Sequence, residues 1–212
     1  MQLIIKKLLI IITLIIAFEA NHSKVFASVD DFDDYGLISI MYHRFDESKY
    51  PSTNIQLDVF KEQLKIIEDE GINFVHPKDF HKSLSENKKN RKVLLTIDDG
   101  LLSFYQNAWP ILKEKNIPFI LFVNTREVGS FNYMDWSQIL ELHKSENVEI
   151  GNHSHSHEYL VDEDNKIIKD DILKSIKIFE QKLGQNSKFF SYPFGEYSLE
   201  FQKIIKDLGF KY

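Results

Sequence analysis

Lys92-Val93-Leu94-Leu95-Thr96-Ile97-Asp98-Asp99-Gly100 is an apolar run that stops abruptly at two carboxylates and a glycine. A short apolar run bounded by a turn signal reads as a buried strand, here Lys92 to Ile97. What flanks that strand decides the fold class. Upstream, Leu37 to Tyr42 is a second apolar run. Phe60, Leu64, Ile66 and Ile67 then recur at helix spacing within Val59 to Glu70, and Gly71 ends the helix. Ile72 to Val75 reads as a strand, followed by a short helix from Pro77. Downstream, a helix is expected from about Leu101 to Lys115, a strand over Pro118 to Val123, and a helix over Trp136 to His143. A strand over Val148 to Ile150 and a long helix from Asp164 to Leu183, closed by Gly184, come next. Lys188 to Tyr192 completes another strand, Ser198 to Leu208 another helix, and Phe210 to Tyr212 the opening of a further strand. This strand–helix alternation builds parallel sheets and barrels, so the chain is read as one α/β domain.

Composition narrows the function. The chain has 212 residues, 43% hydrophobic and 27% charged, enough for a proper core. The net charge of −6, with no basic cluster beyond the first residues, argues against a nucleic-acid partner. There is no cysteine, so disulfides, thiolate metal ligands and a cysteine nucleophile are excluded. The N-terminus has the layout of an export signal. Lys6 and Lys7 precede an apolar run from Leu8 to Phe18, and Val25-Phe26-Ala27 offers a cleavage site after Ala27. That run falls short of the roughly 20 residues needed to cross a bilayer. Residues 1–27 are therefore expected as a signal peptide and residues 28–212 as the working domain, secreted or held in the periplasm or cell envelope. No stable membrane span is expected after cleavage, and the oligomeric state is not legible.

Three polar clusters follow predicted strands, where parallel α/β folds place active sites. They are Thr96-Ile97-Asp98-Asp99-Gly100, Gly151-Asn152-His153-Ser154-His155-Ser156-His157 and Ser191-Tyr192-Pro193-Phe194-Gly195. Taken singly, Asp-Asp-Gly is a common turn and Pro-Phe-Gly a common loop. The histidines carry more. Coiled as a helix, His153 and His157 share a face at i and i+4; extended, all three do, and either arrangement invites a metal ion. Two imidazoles and one carboxylate leave a coordination position open, as catalytic sites do, and a second carboxylate can take a proton from water.

These clusters resemble the signature motifs of the polysaccharide deacetylase family, the carbohydrate esterases that share the NodB homology domain. The family's T-F-D-D-G motif is similar to Thr96-Ile97-Asp98-Asp99-Gly100, with Ile for Phe. Its H-S/T-x-x-H motif matches His153-Ser154-His155-Ser156-His157, and its third motif resembles Ser191-Tyr192-Pro193-Phe194-Gly195. The likeness spans about Leu37 to Tyr212, including Met41-Tyr42-His43-Arg44 and Met134-Asp135-Trp136. It implies a distorted (β/α) barrel holding one divalent ion, Zn²⁺ first, with Co²⁺ or Ni²⁺ as alternatives. By matched position it implies Asp98 as general base, and Asp99, His153 and His157 as metal ligands. It further implies the backbone N–H of Phe194 as oxyanion donor, with Tyr192 and Pro193 against the substrate. An N-acetylated polysaccharide is the implied partner, and removal of acetyl groups the implied reaction.

Two departures stand out. Many members carry an arginine in the third motif to orient the base; Ser191 stands near that place, a form that resembles the branch acting on poly-N-acetylglucosamine. The family's last motif, a Leu-x-His that supplies a general acid, has no counterpart before Tyr212, so the barrel is expected to be incomplete at its C-terminal side. His43, ending the first strand, is a candidate to reach the site or else a packed residue. His155 either lines the sugar groove or points away. Trp136 and Trp109 read as core. Two other functions fit the same residues: an amidase acting on a small amide, and a catalytically weak carbohydrate-binding homologue.

Overall fold

The computed structural model describes residues 36–85 and 91–212. The proposed signal segment lies outside them. Among the described residues, no helix is long and apolar enough to cross a membrane.

The architecture is α/β. Strands β1 (Leu37–Tyr42), β2 (Arg44–Phe45) and β3 (Asn54–Ile55) lead into helix α1 (Leu57–Asp69). Strand β4 (Asn73–Phe74) and helix α2 (Phe80–Ser85) follow, then β5 (Lys92–Ile97), α3 (Trp109–Glu114) and β6 (Phe119–Val123). Helix α4 (Trp136–His143), β7 (Val148–Asn152), α5 (Asn165–Leu183) and α6 (Leu199–Asp207) complete the chain. The main sheet runs β1-β5-β6-β7, with β4 paired to the start of β5, and every pairing is parallel. A separate parallel pair joins β2 and β3.

Parallel strands covered on both faces favour unbroken apolar runs, and Val93–Leu95 of β5 and the whole of β6 show it. Val93, Leu95 and Ile97 face one cluster, which packs against Phe60 and Leu64 of α1. Leu94 faces the other way and meets Ile120, Phe122 and Phe189. A third cluster joins Ile168 and Ile172 of α5 to Phe201 and Ile205 of α6 around Phe190. Helix α1 turns Phe60, Leu64 and Ile67 to the sheet, and Asp135 starts α4 with a reciprocal capping box to Gln138.

The departures from the sequence-based expectation are local. The expected continuous helix from Leu101 to Lys115 contains a π-turn at Phe104–Ala108. Pro110 follows it; it lacks an N–H and crowds the carbonyl four residues back, which a wider turn relieves. The expected strand over Lys188 to Tyr192 contracts to one bridge, Asn152 to Phe190, because the chain turns at Pro193. The expected strand from Phe210 does not form, although Phe190 N donates to Tyr212 O at 2.8 Å beside it. Trp109 is buried as expected, and Trp136 packs edge-on against Phe179.

Candidate active site

Three chain turns at the ends of β5, β7 and the Phe190 bridge converge on one cavity of about 910 Å³. The first begins where Asp98 N donates to Tyr42 O at 2.9 Å, which ends the β1–β5 ladder. Asp99 (φ 75°) and Gly100 (φ 72°) then both take left-handed torsions. Gly suits the second at no steric cost, and Asp tolerates the first. The reversal separates two adjacent carboxylates. Asp98 is buried, at 3% exposure, and Asp99 is half-buried beside it.

The histidine segment is neither helical nor extended. His153 ends β7's reach, with its N–H on Val123 O at 3.0 Å, and Ser154 and His157 then adopt left-handed torsions of 70° and 53°. The tight turn brings His153 and His157 face to edge at 4.8 Å between ring centres. His155 is thrown outward, where its Nδ1 meets Thr125 Oγ1 at 2.9 Å. It stands apart from the cluster formed by the other two rings.

The ligand atoms of Asp99, His153 and His157 lie within 4.8 Å of one another. Asp99 Oδ1 is 3.2 Å from His157 Nε2 and 3.7 Å from His153 Nε2. His153 Nδ1 sits 2.8 Å from Ser191 O, which can only accept, so Nδ1 carries the proton and Nε2 turns its lone pair inward. Such an outer hydrogen bond commonly fixes the tautomer of a metal-binding imidazole. Burial holds both rings below the usual histidine range, so they are neutral donors. Asp98 Oδ1 and Asp99 Oδ1 are buried with no hydrogen-bond donor. A buried carboxylate oxygen without a donor is costly, and a cation beside two neutral imidazoles satisfies it. The donor set therefore fits a divalent metal ion.

Ser191 has two functions at once. Its carbonyl fixes His153, and its hydroxyl donates to Asp98 Oδ2 at 3.2 Å. Burial pushes the Asp98 carboxyl up to about 6. His43 opposes that rise, Asp99 adds to it, and the Ser191 bond and His157 draw it down. His43 lines the same cavity, as do Tyr192 and Phe194, whereas Pro193 is buried within its turn. In that turn Gly195 N donates to Tyr192 O and Glu196 N to Pro193 O, and the Phe194 amide stays out of both bonds. Phe194 itself has φ 61° and lays its ring 4.8 Å from that of His157.

Sequence reasoning missed two contributors. The sequence marks Ser191 only as standing near the place of an absent arginine, and its hydroxyl is the signal that could have pointed to a bond with Asp98. Asp171, on α5, accepts from the amides of His155 and Ser156, and nothing in its local sequence marks it.

Residues 85–212 match the family profile described as polysaccharide deacetylase. The chain belongs to the polysaccharide deacetylase family. Among curated relatives, the poly-beta-1,6-N-acetyl-D-glucosamine N-deacetylase of Staphylococcus aureus (strain MSSA476) is 25% identical over 190 residues. That alignment covers 83% of this chain and 66% of the relative. The chain thus spans less than two thirds of the length of the curated relatives it first matches, 61% in one case. Among solved structures, IcaB from Ammonifex degensii superposes with a TM-score of 0.77 at 28% identity, covering 83% of this chain and 82% of its own. The Streptococcus pyogenes deacetylase PplD, solved with acetate, gives 0.73 at 26% identity, covering 82% and 80%. These likenesses agree with the distorted barrel expected from the sequence.

Proposed function

We propose that this deacetylase-family chain is a metal-dependent hydrolase that removes N-acetyl groups from an extracytoplasmic polysaccharide of N-acetylglucosamine type. One observation carries the reading: a buried, elevated carboxylate stands beside a separate Asp-His-His donor set in a single open cavity. The relatives named above, and the export-type N-terminus, favour a cell-envelope glycan over a small amide.

In this reading Asp99, His153 and His157 hold one divalent ion, with Zn²⁺ the first choice for a His₂Asp set and Co²⁺ or Ni²⁺ as substitutes. When bound, the ion supplies Lewis acidity to the acetamide carbonyl and lowers the pKa of water. Asp98 takes the proton of the attacking water, and its position near 6 suits a base that works around neutral pH. Ser191 holds that carboxylate in place. The Phe194 N–H, free of the turn's own bonds, donates to the oxygen that gains charge as the tetrahedral centre forms. Asp98 then returns its proton to the nitrogen as the C–N bond breaks, giving acetate and a free amine. Tyr192 and His43 line the cavity against the sugar, while Pro193 sets the turn that presents Phe194.

The test is acetate release from N-acetylglucosamine oligomers with added Zn²⁺ and with chelator. Metal-dependent release that disappears in Asp98→Asn supports the reading. Stoichiometric metal binding with no release rejects it in favour of a carbohydrate-binding role.

A further inference from the structure

Two imidazoles grip one ion only if the backbone between them keeps a fixed span, and the segment His153 to His157 has no regular structure to enforce it. The restraint comes from helix α5. Asp171 and Ser175 lie four residues apart on that helix, so their side chains leave the same face. Asp171 Oδ1 accepts from His155 N at 2.8 Å, and its Oδ2 accepts from Ser156 N at 3.1 Å. One carboxylate thus binds two successive amides at the crest of the turn. Ser175, fully buried, receives Asn152 Nδ2 at 3.0 Å. Asn152 Oδ1 accepts from Ser154 N at 2.9 Å, and Ser154 Oγ accepts from His157 N at 2.9 Å. The string Ser175–Asn152–Ser154–His157 therefore leads from the helix to the second imidazole, and Asn152 is joined directly to the first.

The opposite side of the turn is held through its carbonyls. Thr125 N donates to Ser154 O at 3.2 Å and Arg126 N to His155 O at 2.9 Å. Those bonds leave the His155 and Ser156 amides to Asp171. A charged acceptor on two buried-side amides is about twice as strong as a neutral one. Losing it leaves both donors unsatisfied and frees the peptide midway between the rings.

We infer that Asp171 is a positioning residue for the metal site: its carboxylate, with Ser175 one turn further along α5, sets the separation of His153 and His157. The inference rests on the metal-site reading above and adds the element that pre-organises it. Asp171 belongs neither to the cavity lining nor to the Asp99-His153-His157 donor set, and acts through the backbone of the turn.

The full chain is titrated with Zn²⁺ against a chromophoric chelator, and its Co²⁺ absorption spectrum and metal-free melting temperature are recorded. The variants are Asp171→Ala, Asp171→Asn and Ser175→Ala, with Asp170→Asn as control, since Asp170 is exposed and pairs with Lys166. Outer hydrogen bonds of metal ligands are worth about 10–100-fold in affinity, so Asp171→Ala is expected to weaken Zn²⁺ binding by that factor. Asp171→Asn keeps one acceptor oxygen and is expected to recover part of the loss. The visible Co²⁺ bands should shift in both, and Asp170→Asn should match the parent.

Zn²⁺ affinity within twofold of the parent in Asp171→Ala overturns the inference. If that variant does not fold, unchanged affinity and unchanged Co²⁺ bands in both Asp171→Asn and Ser175→Ala overturn it instead. A parent chain that binds no Zn²⁺ removes the metal reading itself, whereas a parent that binds with variants that bind equally removes only the role of α5.

Discussion

At the residue scale, Asp98 holds function and stability in opposition. Burial raises its carboxyl from 3.8 to about 6. The folded chain therefore holds that proton more tightly than the unfolded chain does. The stability it contributes is present below about 4 and is lost as pH rises through 6. Each unit is worth about 1.4 kcal/mol, so the ionised form costs the metal-free fold about 3 kcal/mol at neutral pH. Asp98→Asn is expected to abolish most acetate release, a loss of roughly 10²–10⁴-fold. The same variant should melt higher than the parent at pH 7.5 without metal, and the gain should vanish near pH 4. His153 works with the opposite sign. Its folded pKa lies below the ordinary 6.5 because burial disfavours the imidazolium. The unfolded chain takes up a proton below 6.5 that the fold refuses, so stability falls as pH drops through that point. Urea titrations of Asp98→Asn from pH 7.5 to 5.5, which remove the carboxylate's contribution, should show the midpoint falling with pH.

At the scale of elements, the strands carry the site and the helices hold it. Gly151, on β7, shows how tightly. A Cβ there would collide with the Phe122 ring and sit 3.0 Å from Ile120 Cγ2, and the Phe122 ring lies 6.5 Å from that of His153. Gly151→Ala is expected to destabilise by about 1–3 kcal/mol through overpacking and to disturb metal binding with it, as urea unfolding and Zn²⁺ titration would report. β5 and β6 were legible because Val93–Leu95 and Phe119–Val123 are unbroken apolar runs, whereas the two-residue strands β2 and β3 are too short to leave a pattern. The weak pairing of Lys188 to Tyr192 was not legible either. Apolar composition predicts burial, and Phe189 and Phe190 are buried, but whether a ladder propagates depends on the turn at Pro193 and on the neighbouring chain. The π-turn before α3 escaped for a related reason. Pro110 announces a break, yet it does not say whether the helix ends or widens.

For the molecule as a whole, the motifs announced which side chains would meet, since Asp98, Asp99, His153, His157, Tyr192 and Phe194 all face one cavity. Their supports were not announced. Asp171 lies 16 residues from His155 and Ser191 lies 93 from Asp98, so only the completed fold relates them. A cation that binds the fold and not the unfolded chain stabilises it by mass action, about 2.7 kcal/mol at 100 times the dissociation constant. Zn²⁺ at that excess should therefore raise the melting temperature of the whole chain, and chelator should reverse the rise. Asp99→Ala should abolish this dependence on metal.

The left-handed torsions at Asp99, Ser154, His157 and Phe194 bear on how such a sequence would drift over generations. A side chain in that region costs about 1–2 kcal/mol relative to the ordinary helical torsion, and glycine is nearly exempt. At Asp99, Ser154 and His157 the backbone would thus grow more comfortable by the substitution that removes a working group or its support, and at Phe194 by one that removes the ring packed on His157. A lineage no longer selected for the reaction would be expected to acquire glycine or asparagine at these positions early, with the barrel's core unchanged. Decay of the chemistry would then be written in the loops long before it reached the strands.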